Sequence, residues 1–302
     1  MNKELSARYS LSAIAAAVML LVAGCGGGGG GSSNSSPTVP AVPTTPPNTE
    51  SGNAIPTTPV VKPPVAPAML NVTDPSNVNA ARAQGITGAG VTVGVVDTDF
   101  QVDSTQLAGR IVKTVYTPNG ANGNTHGTEV AEILAGSTLG VAPGVAIQAA
   151  AAGIGSSSVM LNSQIYQDLF AKGVRIFNQS SGISANGASI SQAQSLYNLF
   201  QPYVSQKGLF IWSTGNEGGA QPTLNANLPT LFPDLQTGWI AVTAVNGAGG
   251  SSGYAASDTV PGVISSYANR CGLAANWCLA AAGDFVSNVA GARVYGTSFA
   301  AP

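Results

Sequence analysis

The spacing of apolar positions divides the chain into three stretches. Residues 11–23 form one apolar run behind Lys3 and Arg8. The run is shorter than the ~20 residues that a membrane-crossing helix needs, and residues 1–24 read as an export signal. Residues 25–70 show no periodicity: six glycines are followed by Ser/Asn and then Pro/Thr/Val. Glycine runs are flexible and proline runs are extended, so this stretch is expected to be a tether. From 71 to 302 the pattern becomes that of a folded domain. Helical spacing is expected over 78–84, 163–171 and 191–204, and after His126, where Val130, Ala131, Ile133 and Leu134 make one apolar face. A short apolar, β-branched run at 91–96 suits a strand buried on both faces, 239–245 has a buried-strand pattern, and 174–178 and 209–212 read as further strands. Their alternation predicts an α/β domain of three layers, with a mainly parallel central sheet between helices.

Composition narrows the functional classes. At 302 residues the chain has room for one large domain plus appendages, and 44% hydrophobic residues supply a core. Only 8% are charged and the net charge is −2, so there is no basic patch on which nucleic-acid binding could rest. Abundant alanine and glycine favour close helix–sheet packing over a bulky aromatic core.

The candidate chemistry centres on residues 296–302, Gly-Thr-Ser-Phe-Ala-Ala-Pro. Ser298, in a stretch of mostly small residues, is expected in a tight turn opening a helix, where free backbone N–H groups can bind an oxyanion. A nucleophilic serine needs a base, and the base needs an orienting acid. The chain has one histidine, His126, and Asp97 falls at the carboxyl end of the 91–96 strand, where open parallel sheets place functional groups. Taken alone, Asp97 reads equally as a turn cap, and Asn216 in Ser213-Thr-Gly-Asn-Glu-Gly218 as an ordinary glycine-turn asparagine.

Together the Asp97, His126, Asn216 and Ser298 blocks, in that order, resemble the subtilisin-like (subtilase) serine peptidases. The segments around Leu107–Val112, Val141–Gly144, Val145–Ala152, Ser180–Gly182 and Trp239–Val245 resemble the same family, which implies a further strand over 145–152. The resemblance implies a subtilisin-like α/β fold and a serine endopeptidase with Asp97, His126 and Ser298 as its triad. It implies Asn216 as oxyanion donor, and Ser180, Ser181, Gly182, Ser213, Thr214 and Gly215 along the substrate, a protein or peptide. No cofactor is required. Calcium, common in the family, has no assignable residues. With the only histidine engaged and two spare cysteines, a zinc site is rejected, so no metal ligand is assigned. An α/β-hydrolase is also excluded, because no histidine follows Ser298.

Several features depart from the family or extend it. Asp99 stands where the family usually has glycine, and is expected either to disturb ionisation of Asp97 or to face solvent. Glu129 and Glu132 replace a histidine and a glycine without carrying chemistry. Leu21-Val-Ala-Gly-Cys25 resembles a bacterial lipoprotein processing site, which implies a lipid anchor at Cys25; the alternative is an ordinary cleaved signal with an incidental cysteine. Gly26, in place of aspartate, implies the outer membrane. Cys271 and Cys278 remain, and two cysteines a short loop apart in an exported chain suggest a disulfide. Their surroundings look like subtilase-type autotransporters of Gram-negative bacteria. No inhibitory prodomain is evident, and the peptidase domain reads as short at its C-terminus, lacking the helix that Ser298 should open and any barrel. Ser298 is therefore expected to be frayed. The alternative to a monomeric, surface-anchored peptidase is a catalytically inactive surface lipoprotein serving as a binding module.

Overall fold

The structure, a computed structural model, describes residues 20–23, 78–138, 140–155, 157–247, 260–286 and 293–302. Cys25, the tether and most of the expected export signal lie outside the described residues. In chain order the elements are β1 (Leu20–Ala23), α1 (Val78–Ala83), β2 (Thr92–Asp97), β3 (Ile111–Val115), α2 (His126–Ala135), β4 (Ala146–Ala151), β5 (Gly153–Ile154) and β6 (Ser158–Leu161). There follow α3 (Ser163–Ala171), β7 (Ile176–Gln179), α4 (Ile190–Val204), β8 (Leu209–Ser213), β9 (Trp239–Val245), β10 (Cys278–Ala282), β11 (Asp284–Val286) and β12 (Arg293–Tyr295).

Seven strands form one parallel sheet in the order β10-β9-β8-β7-β2-β4-β3. β1, β6 and β5 make a small antiparallel sheet, and β11 pairs with β12. The five predicted strands are the interior of the large sheet. Its two edges, β3 and β10, carry no such signal. β3 alternates Val, Lys and Thr and is half exposed, while β10 reads Cys-Leu-Ala-Ala-Ala. Alanine is a poor strand former, so only pairing with β9 makes β10 a strand.

The two-residue period of β2 sorts the core into layers. Val93 and Val95 face α2 and pack with Val130, Ala131 and Leu134, while Val96 faces α3 and α4. The α2 side is rich in alanine and valine, as composition suggests. The α3/α4 side differs from that expectation: the few aromatic residues are concentrated there. Tyr166, Phe177, Phe200, Phe210, Trp212 and Trp239 are all buried in one cluster. Phe177 and Phe210 stack at 4.6 Å, and such pairs contribute about 0.5–1.5 kcal/mol beyond burial. Gly94 makes room for this layer, since a Cβ there would stand 3.0 Å from Val174 and 3.1 Å from Phe177. Helix α4 is started by a reciprocal cap between Ser189 and Gln192.

Candidate active site

Asp97 ends β2 on the Val93/Val95 face, so strand alternation carries its carboxylate to the side covered by α2. Helix α2 opens with His126-Gly127. A Cβ at Gly127 would lie 2.5 Å from the Asp99 carbonyl oxygen, so glycine is what lets the helix start against the strand end. The result is a hydrogen bond of 2.8 Å between His126 Nδ1 and Asp97 Oδ1. Beside that carboxylate, Nδ1 carries the proton and Nε2 keeps the lone pair. Asp97 Oδ1 also accepts from the Thr98 N–H at 2.7 Å and the Thr98 hydroxyl at 3.2 Å. Asn124 Oδ1 accepts from the Thr98 hydroxyl and the His126 N–H, each at 2.9 Å, and ties the helix start to the strand end.

Burial pulls the His126 pKa down. The Asp97 carboxylate, by its charge and its hydrogen bond, and Glu129 by its charge more than offset this and hold it above the ordinary value of 6.5. Glu129, buried one turn along the helix, thus acts on the imidazole electrostatically, which sequence reasoning did not anticipate. Asp99 corrects the expectation that it faces solvent. It is buried, and it is held by an ion pair with Lys113 and by the N–H groups of Phe100 (2.6 Å) and Gly123 (2.8 Å). Its charge is offset by a dedicated cation on β3.

Ser298 sits in a 3-10 turn, Thr297–Phe299, and is fully buried. The expected fraying is not seen. The Ser298 hydroxyl donates to the Ser180 carbonyl at 3.1 Å, and the Ser298 carbonyl accepts from the Ser180 hydroxyl at 2.8 Å. The Phe299 ring lies 5.5 Å from the imidazole, which brings the serine turn beside His126. The Ser298 hydroxyl is turned to Ser180, and His126 Nε2 has no hydrogen-bond partner.

Asn216 is held against the serine turn. Its Oδ1 accepts from the N–H and the hydroxyl of Thr297, both at 2.8 Å, which fixes the amide with its Nδ2 edge free of those bonds. A Cβ on Gly296 would lie 3.1 Å from that Nδ2. Gly215 has φ +106°, a conformation that favours glycine, and a Cβ there would strike Asn269 and Glu217. Asp97, Ser180–Gly182 and Ser213–Gly215 are thus placed at the carboxyl ends of β2, β7 and β8, three neighbouring strands. Thr223 lies between the two glycine-bearing segments. Its N–H donates to Thr214 at 2.7 Å, and Leu224 pairs with Ile183 at 2.8 Å.

Cys271 and Cys278 are joined in a disulfide with Cα atoms 5.8 Å apart. Among the described residues no group of three or more His, Cys, Asp or Glu side chains is arranged to hold a metal ion. Sequence reasoning missed Thr98, Asn124, Thr297 and Asn269. The first three adjoin named site residues and could have been found by proximity in the chain. Asn269 had no such signal.

A parallel sheet with an Asp–His pair and a buried serine at its carboxyl edge, in the chain order Asp, His, Ser, is the setting of a serine peptidase of the subtilisin order and not of an α/β-hydrolase. The chain belongs to the subtilase family, whose sequence profile (peptidase S8) matches residues 88–302. It is 35% identical over 124 residues to the neisserial autotransporter lipoprotein NalP of Neisseria meningitidis serogroup B, covering 38% of this chain and 11% of that one. It is 33% identical over 105 residues to serotype-specific antigen 1 of Mannheimia haemolytica, covering 31% of this chain and 10% of the relative. Alkaline elastase YaB of Bacillus sp. (strain YaB) is 31% identical over 199 residues, covering 60% of this chain and 50% of the elastase. The chain therefore spans about a tenth of the first two relatives and half of the third. Among solved structures, the prenylagaramide maturation protease PagA aligns with a TM-score of 0.54 at 20% identity, covering 75% of this chain and 76% of that one. A cold-adapted subtilisin-like serine proteinase aligns with a TM-score of 0.50 at 24% identity, covering 72% and 73%. At these identities the structural likeness concerns the fold.

Proposed function

We propose that the protein is a serine endopeptidase acting on protein or peptide substrates at the Asp97–His126–Ser298 site. The observation that carries the reading is the 2.8 Å Asp97–His126 hydrogen bond, with the buried Ser298 turn against the same imidazole. When substrate binds, the Ser298 hydroxyl leaves the Ser180 carbonyl for the unpartnered His126 Nε2. Its oxygen attacks the scissile carbonyl carbon while its proton passes to Nε2. Asp97 stabilises the resulting imidazolium and remains ionised. Asn216 Nδ2 and the Ser298 N–H donate to the oxyanion, where loss of one such donor in a subtilisin costs about 10²–10³ in turnover. The imidazolium then protonates the leaving amine, the C–N bond breaks, and water, activated by the same imidazole, releases the acyl group from Ser298. Ser180–Gly182 and Ser213–Gly215 line the substrate backbone, the first by pairing like an added strand.

The chemistry of the N-terminal stretch, with relatives described as an autotransporter lipoprotein and a serotype-specific antigen, supports export and a surface location. In this reading a lipid on Cys25 anchors a monomer to the outer membrane through the 25–70 tether. No helix among the described residues is long and apolar enough to cross a membrane.

A second reading, an inactive binding module, draws on the Ser298 hydroxyl bonding Ser180 and leaving His126 Nε2 unpartnered. Fluorophosphonate labelling of the full-length protein separates the two. Labelling that disappears in Ser298→Ala and His126→Ala supports the peptidase. A folded protein that takes no label overturns it in favour of the binding module.

A further inference from the structure

We infer that Asn269 is a positioning residue that sets the oxyanion geometry by clamping the loop around Asn216, an inference that rests on the proposed peptidase mechanism. Asn269 is 4% exposed and lies far along the chain from that loop, just ahead of the disulfide. Its side-chain Oδ1 accepts from Gly219 N–H at 2.7 Å and Glu217 N–H at 3.2 Å. Its Nδ2 donates to the Thr214 carbonyl at 3.0 Å and to the Glu217 carboxylate at 2.5 Å. Its own N–H donates to the Gly215 carbonyl at 2.9 Å. Its carbonyl accepts from the hydroxyls of Thr214 at 2.9 Å and Thr243 at 2.7 Å, the latter on β9.

Every one of these bonds falls on a neighbour of Asn216 or on the sheet. Thr214 and Gly215 precede Asn216 and Glu217 and Gly219 follow it, so one side chain holds both flanks of the loop. Asn216 is left to bond Thr297 through Oδ1 and to present Nδ2. Only a short primary amide supplies a donor and an acceptor in one plane at this reach: aspartate cannot donate, and glutamine is one methylene longer. A donor aimed in advance at the developing charge costs no reorganisation during the reaction, so a rigid loop is what makes Asn216 effective.

Steady-state kinetics on the full-length protein test this. Asn269→Asp is nearly isosteric but sets a carboxylate oxygen against the Thr214 carbonyl and the Glu217 carboxylate. It is expected to lower kcat roughly 10- to 100-fold with KM changed less than about twofold, the signature of an interaction felt only in the transition state. Acting through Asn216, the substitution is expected to add less than about threefold to the loss in Asn216→Ala. Replacing Glu217 by Gln in the Asn269→Asp protein returns a donor to the pair and is expected to recover most of kcat. Unchanged kcat in Asn269→Asp overturns the inference, as does an equal loss in both backgrounds or a loss confined to KM. If Asn269→Asp does not fold, Asn269→Ser and its cycle with Asn216→Ala are read in the same way. A wild-type protein that takes no fluorophosphonate sinks the peptidase reading and this inference together. A wild type that labels, with an Asn269 variant that turns over normally, sinks this one alone.

Discussion

Gly127 and Asp97 are packed so closely that a Cβ on the glycine would lie 3.0 Å from the Cβ of the aspartate. The start of α2 and the end of β2 therefore meet with no room for a methyl group, and the 2.8 Å hydrogen bond between His126 and Asp97 depends on that approach. Gly127→Ala is expected to push the helix start outward and lower kcat/KM by about 10²-fold, the usual effect of a displacement near 1 Å. Peptide hydrolysis, with circular dichroism to show that the fold persists, checks this. Wild-type turnover in that variant would contradict the packing argument.

Activity and stability should respond to pH in opposite directions at His126. Its pKa is raised above 6.5, and the base must be neutral, so kcat/KM is expected to fall away below a limb lying above pH 6.5. Glu129→Gln removes one of the charges that raise it and should move the limb to lower pH. For stability, the folded state binds the proton more tightly than the unfolded chain. The contribution is therefore fully present below about pH 6.5, the unfolded value, and is lost as pH rises through the folded one. A pH–rate profile and thermal midpoints across the same range test both signs.

Lys113 offsets Asp99, and removing it strands a buried carboxylate. Lys113→Met is expected to destabilise the domain by roughly 2–3 kcal/mol, less than a fully buried pair because the lysine side chain is 20% exposed. Denaturant titration measures the loss. The Asp99→Gly, Lys113→Met double variant should recover only part of it, since neither charge then remains but the Phe100 and Gly123 N–H groups lose their acceptor.

Thr223 closes the space between Gly182 and Gly215. Cβ atoms built on those glycines would lie 2.8 Å and 2.9 Å from it. Under the proposed peptidase reading, in which those segments line the substrate, this filling is expected to limit the substrate residue next to them to a small one. Thr223→Gly is expected to raise kcat/KM for phenylalanine over alanine at that position by roughly tenfold or more, within the range one or two missing carbons give in an apolar pocket. A library of peptides varied at that residue reads the ratio, and an unaltered preference would place the limit elsewhere.

The interior of the domain was legible in the sequence. The apolar runs that became β2, β7, β8 and β9 lie in the interior of the sheet and are largely buried, so hydrophobicity alone marks them. The edge strands were not legible, because Cys278–Ala282 has no strand preference of its own and becomes one only beside β9. Asp97, His126, Asn216 and Ser298 could be named because each sits in a short block with its own glycines and small residues. The burial of Asp99 was not legible for the opposite reason: its partner Lys113 lies on another strand, and nothing near Asp99 in the chain announces it.

By itself the sequence determined which local elements form, which family the domain belongs to, and which side chains are candidates for the chemistry. All of these are properties of neighbouring residues and of their periodicity. The tertiary structure decided which candidates meet, that the aromatic residues gather on one side of the sheet, that Asp99 is neutralised, and that Asn269 and Thr223 stand at the site. Those are contacts between residues distant in the chain, and they exist only once the sheet has brought the carboxyl ends of β2, β7 and β8 together.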